Sequence, residues 1–430
     1  MKKGLLNFFK AIEPSKDKKI LHTAYDAFFT FAFAPNETTH GGVHIRDGMD
    51  LKRLMFHVVI ALQLCYLFGT WNIGHQHFVA MGEYTAPLAG LHLKVLYGLV
   101  KVLPIFVVAN VVGLGIEFLY AAKKGHAVEE GFLVSGALIP LIMPPDIPLW
   151  ILALSVAFAV IIGKEAFGGT GMNIWNIALL SRVFIFFAYP TTISGDQVWI
   201  AGFEKISAGT PVEYGWFFTS ILNPALEFIG SPIYDVKAAV VDGVTGATPL
   251  GLAMKGGWAA VTEHYTSAQM IFGTIPGSIG ESSKILILAG IVFLIFTKVA
   301  DWRIIISVFV GAAVMGLFLN AVAPGLDPAE EVVKFMSVPW YNHFIMGSLL
   351  FAAAFMATDP VTAASTGTGK YIYGFLIGAV GIIVRVMNPG YPEGWMLAIL
   401  FMNTFAPMID YYVLKANMNR RAKRAVVAAS

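Results

Sequence analysis

Ten long apolar stretches run through the chain, near residues 54–73, 97–121, 131–145, 148–164, 172–189, 284–300, 303–322, 342–358, 371–387 and 395–414. Stretches of this length fit the hydrocarbon core of a bilayer as helices and are too long for the strands of a membrane barrel. Charge is correspondingly scarce. Only 13% of the 430 residues are Asp, Glu, Lys or Arg, and 57% are hydrophobic. A soluble protein of this size could not cover its surface with so few charges. The expected fold class is an all-α polytopic membrane protein with about ten transmembrane helices.

Several stretches are short or interrupted. Residues 130–148 carry Pro140, Pro144, Pro145 and Pro148. A broken helix survives in lipid only where protein or a cavity satisfies the freed backbone groups, so these breaks mark a functional interior. Cys65 is the only cysteine. The chain alone therefore holds no disulfide, thiolate iron–sulfur cluster or Cys-rich zinc site. The net charge of +2 points to no nucleic-acid partner. The N-terminal apolar run is too interrupted for a cleaved signal peptide. Residues 1–50 read as a cytoplasmic extension, with an amphipathic stretch at Leu5–Ile12 suited to the membrane interface.

Basic residues set the orientation. They precede the first span (Lys2 to Arg53), follow the second (Lys123, Lys124), separate the sixth from the seventh (Lys298, Arg303) and follow the last (Lys415 to Arg424). With ten spans all fall on one side, and both termini are cytoplasmic. The long segment 190–283 and the acidic loop 323–341 then lie outside. The expected organisation is a first five-helix repeat over 51–189, an outer loop region over 190–283, a second repeat over 284–414 and a basic cytoplasmic tail over 415–430. Five spans on each side of the loop make the halves enter the membrane in opposite senses, the inverted-repeat arrangement of many transporters. Met143-Pro-Pro-Asp146 and Met356-Ala-Thr-Asp359 close the third span of each half. IIGKEAFGGTG and IIVRVMNPGYPEG precede the fifth and the tenth spans.

The outer loop contains Asp242-Gly-Val-Thr245-Gly246-Ala247-Thr248. On spacing alone this reads as a Gly-rich turn. The pattern D-x-x-[ST]-G-A-[ST] also resembles the flavinylation motif of redox-driven ion pumps. GKEAFGGTG (163–171), FFAYPTTISGD (186–196), FGTIPGSIGESS (272–283) and FMATDPVTA (355–363) occur in the matching order. Over nearly the whole length, the chain resembles the B-subunit family of the sodium-translocating NADH:quinone oxidoreductase.

That resemblance implies FMN esterified through its phosphate to Thr248, with Asp242, Thr245, Gly246 and Ala247 as the signature read by a flavin transferase on the outer side. It implies a non-covalent riboflavin, ubiquinone as substrate, Na⁺ as the transported ion, and the A, C, D, E and F subunits as partners in a bacterial inner membrane. The family's quinone-linked Gly-Gly pair maps to VVGLGIEF, where Gly113 is kept and Leu114 replaces the second glycine. The chain has no Rossmann glycine fingerprint, so partners must oxidise NADH. The homologous D-type subunit of the ferredoxin-linked complex usually lacks the long basic N-terminal extension. A plain urea-transporter-like channel lacks the flavinylation motif.

Acidic residues inside spans are expensive and default to functional roles. Glu117, Asp359 and Asp410 match acids that the family links to sodium movement, and a hard cation prefers such oxygen ligands. Each also reads as a structural charge. Lys164-Glu165 fits a neutral internal pair and is assigned no role. His75-Gln-His77 is expected in a wet outer loop, and FGGTG (167–171) either as an anion nest or as a helix break.

Overall fold

The computed structural model describes residues 51–124, 131–207, 246–388 and 393–429, with a few isolated positions before residue 51. The described residues are helical, with no strand among them. Ten helices position the site. They are α1 (Leu51–Ala80), α2 (Leu91–Lys124), α3 (Phe132–Leu141), α4 (Leu149–Gly163), α5 (Ile177–Ala188), α6 (Pro249–His264), α7 (Lys284–Phe296), α8 (Trp302–Val322), α9 (Gly367–Met387) and α10 (Trp395–Ala429). Six of them, α1, α2, α4 with its 3₁₀ continuation, α8, α9 and α10, are long and apolar enough to cross a membrane; α3, α5 and α7 are apolar but shorter.

Close packing rests on small residues, as membrane helices require when no hydrophobic effect drives them together. Gly98 of α2 lies on the Thr70 carbonyl of α1, and Gly378 of α9 lies on the Val308 carbonyl of α8; a Cβ at either site would collide with that oxygen. Helix pairing repeats along the chain. In the first half α2 packs on α4 and α4 on α5, and in the second α8 packs on α9 and α9 on α10.

The third and eighth apolar stretches are the broken ones. The third is helical only through Leu141, with Pro140 in its last turn. The eighth is a 3₁₀ turn (Trp340–Phe344), a single α-turn (Leu349–Phe351) and a π-turn (Ala352–Met356). Gly347 joins the first two pieces at φ +64°. The backbone groups freed by these breaks find partners inside the protein. Arg385 donates to the carbonyls of His343 (3.0 Å) and Met346 (3.3 Å). Lys284 donates to the Gly347 carbonyl at 2.8 Å, and the Gly280 amide donates to Leu141 at 2.7 Å. Unsatisfied, each group would cost several kcal/mol in lipid.

The two Asp residues that close corresponding stretches lie at opposite ends of the bundle. Asp146 takes bonds from Lys101 (2.6 Å) and the Gly202 amide (2.5 Å). Neighbouring Ala201 meets His77, near the end of α1. Asp359 instead shares a cavity with Leu54 and Met55, at the start of α1.

One expectation is corrected. His75 and His77 are not in a wet loop: α1 continues to Ala80 and buries both. His77 is tolerated there because Nδ1 donates to the Ala201 carbonyl at 2.7 Å and its ring stacks on Tyr97 at 4.0 Å. α10 continues without a break to Ala429, through the residues expected as the basic tail. Its Asn, Arg, Lys and Ala residues are compatible with helix and carry no stop signal. Most of the 1–50 extension lies outside the described residues.

Candidate functional site

Thr248 is the N-cap of α6. Its Oγ accepts the Gly251 amide at 3.2 Å, and Pro249 occupies the first helical position. Pro is favoured there because the missing N–H has no intrahelical partner to lose. The cap leaves Thr248 half-buried, while Gly246 and Ala247 before it are buried. The Ala247 carbonyl accepts the Tyr265 hydroxyl at 3.0 Å. Burial, with Asp196 adding to it, holds that phenol well above its usual range. Gly246 is pressed against the Asp196 carbonyl and the Phe203 ring. Asp196 in turn pairs at 2.5 Å with Lys255, which lies on α6 two turns after Thr248. Asp242 and Thr245 lie outside the described residues.

This setting fits a phosphoester. The positive end of the α6 dipole and its first-turn amides face the Thr248 hydroxyl, and such an end accepts phosphate readily. Lys255 supplies a cation on the same stretch of surface.

Beside Thr248 lies a small cavity lined by Ser278, Glu281, Lys284, Gly347 and Glu393. Its charges are buried and mutually held. Arg182 Nη1 meets Glu281 Oε1 at 3.2 Å. Ser278 donates to the other Glu281 oxygen, and Ser348 donates to Glu393. Sequence reasoning missed this cluster. Glu281 counts there only as an outer-loop charge, yet it is 6% exposed. Arg182 and Arg385 were the available signal, since each is a lone arginine within an apolar run.

A second, larger cleft includes Lys164, Asn173, Asn176, Thr358 and Asp359 in its wall. Asp359 accepts from Asn176 at 3.3 Å and from the Val361 amide at 3.1 Å. Lys164 also reaches Glu117, and both side chains are almost wholly buried. Glu165 faces Lys124 at 3.6 Å. Lys164 and Glu165 therefore pair with different residues of α2 rather than with each other. The cause is the backbone: α4 ends at Gly163, and Lys164 lies outside helical geometry.

Glu117 and Asp359 thus meet one cleft through Lys164. Asp410 does not join them. It supports the start of α9, whose N-cap is Thr366, accepting the amides of Ser365 (2.7 Å) and Thr366 (3.0 Å) and the Thr366 hydroxyl (2.5 Å). Among the described residues no three His, Cys, Asp or Glu side chains gather as a metal-holding group. Gly113 abuts the Phe132 ring, where a Cβ would overlap it. FGGTG forms a turn with Gly168, Gly169 and Gly171 at positive φ, which breaks the helix after the 3₁₀ turn Glu165–Phe167.

The two cavities are far apart. The larger includes Leu54, while Ile275 of the smaller accepts the Asn72 amide at 3.0 Å. At 1.5 Å per residue those positions are about 27 Å apart along α1, close to the hydrocarbon thickness of a bilayer.

The profile of the NQR2, RnfD, RnfE family matches residues 38–419. Relatives named as the B subunit of Na(+)-translocating NADH-quinone reductase match over almost their full lengths. That of Chromohalobacter salexigens is 39% identical, over 98% of this chain and 97% of the relative. That of Ectopseudomonas mendocina is 39% identical, over 98% and 100%. That of Haemophilus influenzae is 36% identical, over 98% and 99%. With its order of broken and continuous helices and its motif at Thr248, the chain belongs to the NQR2, RnfD, RnfE family.

Proposed function

We propose that the chain is the B subunit of a sodium-translocating NADH–quinone reductase. It is a multi-pass component of the bacterial inner membrane, inactive alone, with both termini cytoplasmic. It works with the A, C, D, E and F subunits, and a flavin transferase matures it. Its halves are inverted repeats, a reading supported by the matching helix pairings and by Asp146 and Asp359 at opposite ends of α1.

In this reading Thr248 carries FMN as a phosphoester, and the flavin supplies reversible electron acceptance. Thr248 holds the phosphate at the α6 N-terminus, and Lys255 offsets its charge. Gly246 and Ala247 keep the hydroxyl accessible by adding no bulk beside it. The cleft at Lys164, Asn173, Asn176 and Asp359, about 27 Å away along α1, is the place for riboflavin. It combines an apolar wall with a few convergent polar groups, as small-molecule sites do. Ubiquinone reduction belongs on the same side, near Gly113. Glu117 and Asp359 border the route of Na⁺, and Asp410 is assigned to it by resemblance alone.

The carrying observation is the capping hydroxyl of Thr248, half-buried and beside a charged cavity. The test is in-gel fluorescence. The wild-type band, produced in a host with the transferase, should fluoresce after denaturation in SDS, and Thr248→Ala should be dark while still inserted in the membrane. A dark wild-type band would remove the redox reading and favour a plain transporter.

A further inference from the structure

A further cleft, of about 730 Å³, opens next to the segment that carries Thr248 and has no part in the reading above. Its wall holds three carboxylates, Asp146, Asp196 and Glu204, and three hydroxyls, Thr191, Thr192 and Ser194. Lys101 meets Asp146 at 2.6 Å and Lys255 meets Asp196 at 2.5 Å. With Glu204 exposed beside them, these groups sum to one negative charge. The cleft is continuous with the surroundings of Thr248. The carbonyl of Asp196, a wall residue, is the one that Gly246 presses against, and Phe203, next to Glu204, holds Gly246 with its ring. The Asp196 carboxylate and the Thr248 hydroxyl both lie against Gly251, 3.3 and 3.6 Å from where a Cβ would stand. Leu250 and Ala253 after Thr248 are buried. The side chains of Lys255 and Asp196 are 56% and 39% exposed, so a protein approaching Thr248 meets this face first.

Resting on the flavin reading above, we propose that the cleft is the docking site of the flavin transferase and takes a protruding segment of that enzyme bearing basic side chains. A specific protein–protein contact covers about 800 Å² on each partner, some 20–30 residues. The seven residues from Asp242 to Thr248 are too few to supply it, and Gly246 and Ala247 among them are buried. The Asp196–Lys255 face and the cleft beside it supply the remaining ground. A concave wall accepts a protrusion, and its negative charge selects a basic one and repels an acidic one. The attachment itself joins Thr248 Oγ to the flavin-side phosphorus of a flavin dinucleotide. It breaks the phosphoanhydride bond and releases a nucleoside monophosphate, which with solvent takes up the hydroxyl proton. Thr191 and Glu204 hold the enzyme and take no part in that exchange.

The test uses the full chain made in a host without the transferase. Purified transferase and FAD are added in a Mg²⁺ buffer, and band fluorescence is followed against acceptor concentration. Glu204→Lys should raise the KM for the acceptor at least tenfold and leave kcat within threefold of wild type. Thr191→Trp, which puts bulk at an exposed wall position, should do the same. Glu263→Lys makes the same charge change at the exposed far end of α6 and should stay within twofold in both constants. If one cleft variant fails to insert, the other decides. A wild-type KM in either inserted cleft variant would overturn the docking site. An equal rise in Glu263→Lys would overturn it too, leaving only diffuse attraction, as would a fall in kcat at unchanged KM, the mark of a displaced Thr248. Variants that label normally but fail to co-purify with other subunits would give the cleft to a subunit instead. A wild-type chain that gains no fluorescence would remove the Thr248 reading itself, and would be seen before any variant is made.

Discussion

Lys164, just past the end of α4, sets its ammonium against the carboxylate of Glu117 on α2, with both side chains out of solvent. Glu117 viewed alone in an apolar span calls for a mobile cation. The protein already supplies a tethered one, and any ion passing Glu117 must compete with it.

The two single variants should therefore differ from the double variant. Glu117→Gln leaves Lys164 buried without its counter-charge, and breaking such a pair costs about 3–5 kcal/mol. Glu117→Gln should lower the thermal midpoint of the purified complex and raise the sodium concentration for half-maximal quinone reduction. Glu117→Gln combined with Lys164→Met should recover most of the thermal loss but not the sodium dependence. A midpoint unchanged by Glu117→Gln would mean that the pair contributes nothing.

Asp410 should behave as the support of the Thr366 cap. Removing a capping side chain costs about 0.5–2 kcal/mol, and Asp410 accepts three bonds at the start of α9. Asp410→Ala should lower the thermal midpoint while its sodium titration overlays that of wild type. A shifted titration at unchanged midpoint would return Asp410 to the ion route.

Gly246→Val should weaken flavin attachment without touching the hydroxyl. Its Cβ runs into the Asp196 carbonyl and the Phe203 ring, so the segment must move and carry Thr248 off its cap. Band fluorescence normalised to protein should fall well below wild type. Full fluorescence would show that the transferase tolerates a displaced Thr248.

Sidedness is checked by labelling. In a Cys65→Ala background, a cysteine replacing the exposed Glu263 at the end of α6 should react with an impermeant maleimide from outside intact cells. One replacing Arg424 should react only after lysis. The reverse pattern would invert the orientation.

Much of this architecture was legible because lipid imposes one rule on every span. Apolar length located the six long helices and the shorter α3, α5 and α7, and the prolines of 140–148 located one of the two breaks. The second break carries no proline within 340–356. It is set by Gly347 and by charged side chains distant in sequence, Lys284 and Arg385, that take up the freed carbonyls. For the same reason the partner of Glu117 was hidden. Lys164 and Glu165 are adjacent in sequence, and only the non-helical geometry after Gly163 turns them toward different residues of α2, Glu117 and Lys124. Thr248 was legible as a motif, but the cap that presents it depends on where α6 begins.

The distance along α1 between the two cavities has an electrical consequence. In the proposed function, an electron entering at Thr248 and leaving at the cleft beside Asp359 crosses nearly the whole low-dielectric slab. It therefore moves through most of the membrane voltage, at about 2.3 kcal/mol per charge for each 100 mV. With the cell interior negative, inward electron flow is uphill. Turnover should then slow as voltage builds and quicken when an ionophore collapses it, which makes the spacing of these cavities a voltage-sensing element of the pump.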